Sequence, residues 1–310
     1  MEQRAKLIVS QNGFELGQRL NPEDKRDRFY VFSAQKGNKK YVFKLANDNF
    51  CRELSNEIWW NTTLTRLIET NPATNLRPPA VFYTGPNWYI GEYFHGSPLM
   101  SDSHNNSEAA ACAQNLADIL VWLDGIALQP ATSEKPIYED SHSAPYTNLW
   151  NKVDGWMERP LSSGLITQDH IDKARKLIDR YRPNILPSLQ HGDFVPWHMY
   201  YLENNKIGLI DGEHASLVRP RYYDLAYLYT RLCTRLESFT VAVKILRFFL
   251  GQTKINKLEF TQAWLPVITL RSLGMYNDAM IDLEHQDYRQ QATELLERCL
   301  SEKLDSFLEG

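Results

Sequence analysis

The sequence predicts an α+β chain of two lobes, a small β-rich lobe of residues 1–97 followed by a larger helical lobe of residues 98–310. Three observations carry this. β-prone segments concentrate before residue 97, helix-periodic segments dominate after Pro98, and the stretch GEYFHGSP marks the change of character between them. A chain of 310 residues is long enough to give each lobe a core.

In chain order, RFYVFSA (28–34) and KYVFKLA (40–46) are rich in β-branched and aromatic residues and flank QKGNK, a turn with Gly37 and Asn38. They predict an antiparallel hairpin with Lys44 near the end of its second strand. NFCRELSNEIWWNTTLTRLIE repeats its apolar residues Leu54, Ile58, Leu64 and Leu67 at helical spacing. NLRPPAVFYTG enters another strand through its prolines, and NWYIGEYFHGSPL reads as a strand running to Gly96. Beyond Pro98, NSEAAACAQNLADILVWLDGIAL is an amphipathic helix ending near Gly125. Helical patterns return at 166–181, 239–250, 261–280 and 288–308.

Composition narrows the function. A formal net charge of −4 with no Lys/Arg run argues against a general nucleic-acid binder, and Asp24 to Arg28 is mixed in sign and reads as a solvated loop. Cys51, Cys112, Cys233 and Cys299 are scattered, with no CxxC pair, so reduced thiols are expected rather than a zinc site or disulfide scaffold. The N-terminal stretch lacks a signal peptide's apolar region, and no run has the length of a membrane span. A cytoplasmic protein without membrane or nucleic-acid partners is expected.

The chemistry concentrates in LQHGDFVPWHMYYLENNKIGLIDGE, residues 189–213. Asn204-Asn205 suits a two-residue hairpin turn, because asparagine tolerates left-handed backbone. That register pairs Glu203 with Lys206 and sets His198 directly across from Asp211, with Cβ atoms ~4.5–5.5 Å apart. Asp193 then lies on the loop before the first strand. A loop aspartate beside two cation ligands is what phosphoryl transfer uses: one carboxylate takes the hydroxyl proton while the other groups hold a metal on the nucleotide phosphates.

HGDFVPWH, LIDGEHA and PRYYDLAYL together resemble the aminoglycoside phosphotransferase and choline kinase group of small-molecule kinases, whose fold is protein-kinase-like. The resemblance extends over nearly the whole chain. It implies an ATP- or GTP-dependent O-phosphotransferase acting on a hydroxylated small molecule, aminoglycoside-, macrolide- or choline-like. Asp193 would be the catalytic base, and His198 and Asp211 the ligands of Mg²⁺. Lys44 would contact the phosphates, and a helix glutamate would orient it: Glu53 and Glu57 share one helix face, and Glu57 is the better match. YIGEYFHG resembles the interlobe hinge, where Glu92, Tyr93 and Phe94 would receive the nucleobase. His191 and Asp224 resemble scaffold groups of the catalytic loop. Asp278, Asp282 and Glu284 are acidic residues that would suit a cationic acceptor, or else form a solvated helix end.

Two positions depart from the family's pattern. His198 stands where asparagine is usual, as in macrolide phosphotransferases, and an imidazole ligand moves metal preference toward Mn²⁺. Gly212 replaces the common tryptophan. The loop at 20–29 contains no glycine to cradle phosphate. Two other classes stand beside the kinase reading. One is a nucleotide-binding pseudokinase with a regulatory or scaffold role. The other is a metallohydrolase built on His191, Asp193, His198 and Asp211, which leaves Lys44 and the glutamate helix without a purpose.

Overall fold

The computed structural model describes residues 1–21, 28–72, 74–96, 98–100, 110–126, 147–281 and 287–309. The described residues form two compact units. One gathers those of Met1–Ser97 and Met199–Ala215, the other those of 98–198 and 216–310.

The first unit is built on a five-stranded sheet in the order β1-β2-β3-β6-β5. Its strands are β1 (Glu15–Arg19), β2 (Phe29–Lys36), β3 (Lys39–Ala46), β5 (Val81–Gly85) and β6 (Trp88–Glu92). The expected hairpin of β2 and β3 is in register from Phe29↔Ala46 to Lys36↔Lys39. Side chains alternate across the pleat. Phe32, Phe43, Leu45 and Ile90 join Ala5 and Val9 of helix α1 (Glu2–Gln11) in one apolar cluster. Phe29, Ala46 and Tyr89 join Leu54 of helix α2 (Cys51–Thr70) in another. Lys44 shares β3 with Phe43 and Leu45, so alternation turns it to the opposite side. Strand β6 ends at Glu92, short of the expected Gly96, and α1 is a helix that the β-rich reading did not contain.

A second, three-stranded sheet in this unit has the order β4-β9-β8, from β4 (Leu76–Arg77), β8 (Met199–Tyr201) and β9 (Ile207–Leu209). Here the expected register fails by one residue. Met199 pairs with Leu209 and Tyr201 with Ile207, so continuing the ladder would set Ile210, not Asp211, opposite His198. The turn has three residues rather than two. Glu203–Asn205 forms a 3₁₀ turn with Asn204 and Asn205 both left-handed (φ 60° and 57°), closed by the Leu202 N–H donating to the Lys206 carbonyl at 2.8 Å.

The second unit is helical: α3 (Ala113–Asp124), α4 (Thr147–Ser162), α5 (Gln168–Tyr181), α6 (Tyr223–Cys233), α7 (Phe239–Gln252), α8 (Lys257–Ile281) and α9 (Tyr288–Leu300). Helix α8 packs against α4, α5, α6 and α9, which explains why Trp264, Leu265, Ile268 and Leu273 around its circumference are all buried. The pattern expected to run to residue 308 stops at Leu300, and a 3₁₀ turn over Leu304–Phe307 follows. The short strands β7 (Pro187–Gln190) and β10 (Ser216–Pro220) pair antiparallel. No helix among the described residues is long and apolar enough to cross a membrane.

Candidate active site

In the first unit the chemistry gathers on Lys44. Its ammonium donates to Glu57 Oε2 at 2.6 Å and to Asp211 Oδ1 at 2.7 Å, and it sits 4.4 Å from the centre of the Phe29 ring. Lys44 and Glu57 are both buried, and the Tyr89 hydroxyl, opposite Lys44 on β6, donates to Glu57 Oε1 at 2.9 Å. Burial opposes the Lys44 charge, but Asp211 and Glu57 outweigh it and hold its pKa well above the ordinary lysine value. Burial pushes the Glu57 carboxyl and the Tyr89 hydroxyl up. Of the two candidate glutamates, Glu57 reaches the lysine; no bond joins Glu53 to it among the described residues.

Asp211 takes a left-handed backbone (φ 66°), which aspartate tolerates better than most residues. The next residue explains the missing tryptophan. Gly212 lies against buried Trp60 of α2, and a Cβ there would come 2.3 Å from Trp60 Cδ1. Gly212→Ala is therefore expected to destabilise the protein by about 1–3 kcal/mol through overpacking. Equilibrium urea unfolding measures this, and wild-type stability would contradict the packing argument.

Several partners in this cluster escaped the sequence reading. Arg28, assigned to a solvated loop, instead pairs with the buried Glu213 carboxylate at 3.0 Å. His214 Nε2 lies 3.2 Å from the same carboxylate. Asn56, one position before Glu57, donates to the carbonyls of Glu213 and Ala215 at 2.8 Å each, tying α2 to the segment after Asp211. The available signal was a buried-type polar residue on the apolar side of α2. Of the expected phosphate-covering loop at 20–29, residues 22–27 lie outside the described residues, as do Asp282 and Glu284.

At the expected hinge, the Glu92 N–H donates to the Ala80 carbonyl at 2.8 Å, and the Glu92 side chain pairs with Arg77. Tyr93 carries the Lys40 ammonium 4.1 Å above its ring, and buried Phe94 fills the space over Gly208 of β9.

The second unit holds the HGD loop. Gly192 takes φ +83°, a conformation that favours glycine, and lets the chain turn between His191 and Asp193. The His191 and Gly192 N–H groups donate to the two oxygens of Asp224 at 2.6 and 2.8 Å, and the Asp193 N–H donates to His191 Nδ1 at 3.3 Å. Phe194 and Val195 anchor the loop in the core. Asp193 is one-fifth exposed, and its Oδ1 is buried without a hydrogen-bond partner. His198 Nδ1 lies 3.2 Å from the Asp193 carbonyl. A carbonyl only accepts, so in this contact Nδ1 is the donor.

Asp224 is fully buried, and that burial raises its carboxyl to about 6 against the opposing pull of the two loop N–H bonds. A raised folded-state pKa means the folded chain holds this proton longer than the unfolded one. The associated stability is present below the unfolded value and is lost as pH climbs through about 6. The rise from the ordinary carboxyl value to about 6 corresponds to ~3 kcal/mol. The stability advantage of wild type over Asp224→Asn should therefore shrink by that amount between pH 4 and pH 7. A pH-independent difference in denaturant unfolding would contradict it.

Asp278, expected in a solvated or amine-binding role, is paired with Arg231 at 2.9 Å.

A family model described as the phosphotransferase enzyme family matches residues 19–252. Among solved structures, the chain is similar to ADP-bound aminoglycoside phosphotransferase APH(2'')-Ib, with 18% identity, a TM-score of 0.58 and 99% of each chain covered. It is also similar to choline kinase LicA from Streptococcus pneumoniae, with 17% identity, a TM-score of 0.59, and 98% of this chain and 99% of that one covered. A ternary complex of APH(4)-Ia with ADP and hygromycin B shares 12% identity at a TM-score of 0.61, covering 96% of this chain and 98% of the other. No curated protein sequence matches the chain.

Proposed function

Because this chain belongs to the phosphotransferase enzyme family and has a protein-kinase-like fold, we propose that it transfers the γ-phosphoryl group of ATP or GTP to an alcohol oxygen of a small molecule in the cytoplasm. The carrying observation is the buried Lys44, held between Glu57 and Asp211. A lysine kept charged and oriented in this way suits the nucleotide's phosphates, and it has no evident purpose in a purely structural sheet. Complexes with ADP, ATP and GDP among the similar structures support a nucleotide as co-substrate.

In this reading residues 1–97 form the nucleotide lobe, ending in a hinge at Glu92, Tyr93 and Phe94, and residues 98–310 supply the catalytic and acceptor groups. Asp193 accepts the proton of the acceptor hydroxyl, whose oxygen attacks the γ-phosphorus as the nucleoside diphosphate leaves. Glu57 orients Lys44 toward the phosphates. The donors at His198 and Asp211, an imidazole nitrogen and a carboxylate, suit Mg²⁺ or Mn²⁺. The orphaned Asp193 Oδ1 fits a polar or cationic neighbour as well. Such a cation would neutralise charge on the nucleotide phosphates. Catalysis is then positioning and charge neutralisation, with no covalent intermediate. From the aminoglycoside-, macrolide- and choline-like acceptors implied by the family, what carries over is the alcohol group.

The test is γ-phosphoryl transfer from labelled ATP or GTP, with Mg²⁺ or Mn²⁺, to a panel of hydroxylated acceptors and to water. Metal-dependent transfer is the expected result. Nucleotide binding with no transfer to any acceptor or to water would contradict it and fit a pseudokinase.

A further inference from the structure

The surroundings of Asp193 in the second unit carry an excess of positive charge. Arg271, on α8, is only 6% exposed, yet no carboxylate among the described residues lies within ion-pair distance of it. Its guanidinium lies 4.0 Å from the centre of the Tyr227 ring, and Nη1 donates to the Tyr223 hydroxyl at 3.2 Å. Its Nε is buried with no hydrogen-bond partner. A second guanidinium, that of Arg231, stands 5.1 Å from the same Tyr227 ring and donates to the Tyr227 hydroxyl at 3.0 Å. Arg231 has one carboxylate, Asp278, and its own Nε is also buried without a partner. Two desolvated cations thus share a single counter-ion.

This pair adjoins the catalytic loop. The Arg231 guanidinium lies 5.9 Å from the centre of the ring of Trp197, four residues after Asp193 on the same loop, and burial followed by the charge of Asp193 pushes the Tyr227 hydroxyl up to about 12. Aromatic faces soften the desolvation of a guanidinium but supply no counter-charge, and the hydroxyls that take up Arg271 Nη1 and both Nη atoms of Arg231 are neutral, leaving each Nε unused. A buried cation with unused donors gains most from an anion that can be hydrogen-bonded by both nitrogens of the fork.

We propose that Arg271, assisted by Arg231, is a binding site for a carboxylate or phosphoryl group, and that the acceptor is an anionic hydroxylated molecule whose alcohol is thereby presented to Asp193. The inference rests on the phosphotransferase reading for the fate of the alcohol, though not for the binding of the anion. It departs from the cationic acceptor that the acidic residues of this region would have suited. With Asp278 already paired, the described residues leave a positive rather than a negative balance.

The experiment uses the full chain, without nucleotide, and four probes that share one diol skeleton: glycerate, glycerol 3-phosphate, the neutral glyceramide and the cationic 3-aminopropane-1,2-diol. Titration calorimetry or ligand-observed NMR should find the anions bound at least tenfold more tightly than glyceramide, and the amine more weakly still. The tighter of the two anions identifies the group as carboxylate or phosphoryl. Arg271→Gln should lower anion affinity to the glyceramide level, at least tenfold, and Arg271→Lys should restore part of it. Asp278→Asn, at a partly exposed position, should tighten anion binding severalfold by releasing Arg231, an increase that a merely structural role would not produce.

Equal or better binding of glyceramide or the amine would overturn the proposal. So would a folded Arg271→Gln protein that keeps the anion preference. If that variant does not fold, Asp278→Asn without any gain overturns it. The nucleotide-induced melting shift, taken on the same samples, separates the two claims. Anion preference without a nucleotide response supports the anion site and contradicts the transfer reading.

Discussion

Asp193→Asn is expected to lower phosphoryl transfer by about 10²–10⁴-fold, the usual contribution of a positioned general base. The substitution is isosteric and leaves in place the bonds that shape the loop, because these run from the His191 and Gly192 amides to Asp224 rather than to Asp193. What changes is the acceptor character of one carboxylate oxygen that has no protein partner, Oδ1. Nucleotide affinity should be unaltered, since Lys44 and Glu57 are untouched. The expected signature is thus a loss in kcat with the KM for nucleotide preserved. A variant within tenfold of wild type would remove Asp193 from the role of base.

The second large effect is expected at Asp211. Its carboxylate is 27% exposed and holds one side of the Lys44 ammonium, with Glu57 on the other. Asn tolerates the same left-handed backbone, so Asp211→Asn preserves the turn onto Gly212 and Trp60 while removing the charge. Lys44 keeps Glu57 as a partner, and the folded state survives. A proposed cation ligand disappears at the same time. Metal-dependent stabilisation by nucleotide should therefore vanish, together with transfer, while the melting temperature without ligand changes little. Full activity in this variant would show that the metal is held elsewhere.

Much of this could be read from the chain because it is local. The β2–β3 hairpin, with Lys44 near its end, depends on two adjacent segments and a short turn. Helix α2 follows from the spacing of its apolar residues, while the preference for Glu57 over Glu53 on it comes from the resemblance to the kinase group. The hairpin after Asp193 was half legible: its strands were correct, but asparagine's tolerance for left-handed backbone did not reveal how many residues the turn would use. Glu203 joined the turn, and the register moved by one.

Long-range partners were not legible. Tyr89 meets Glu57 only because β6 pairs with β3, and Arg28 reaches Glu213 across 185 positions of sequence. Helix α6 was not among the expected helices, and every residue from Tyr223 to Thr230 is buried. Arg271, inside the equally buried α8, looked like any basic residue of a long helix until its neighbours proved to be tyrosines rather than carboxylates.

The most direct test of the central claim is the melting temperature of wild type and Asp211→Asn with ATP or GTP, each with Mg²⁺, with Mn²⁺ and without metal. A ligand at a hundred times its dissociation constant stabilises the folded state by about 2.7 kcal/mol, a shift of several degrees. The expected result is a metal-dependent shift in wild type that Asp211→Asn abolishes. No shift with either nucleotide and any metal, or a shift that Asp211→Asn keeps intact, would contradict it.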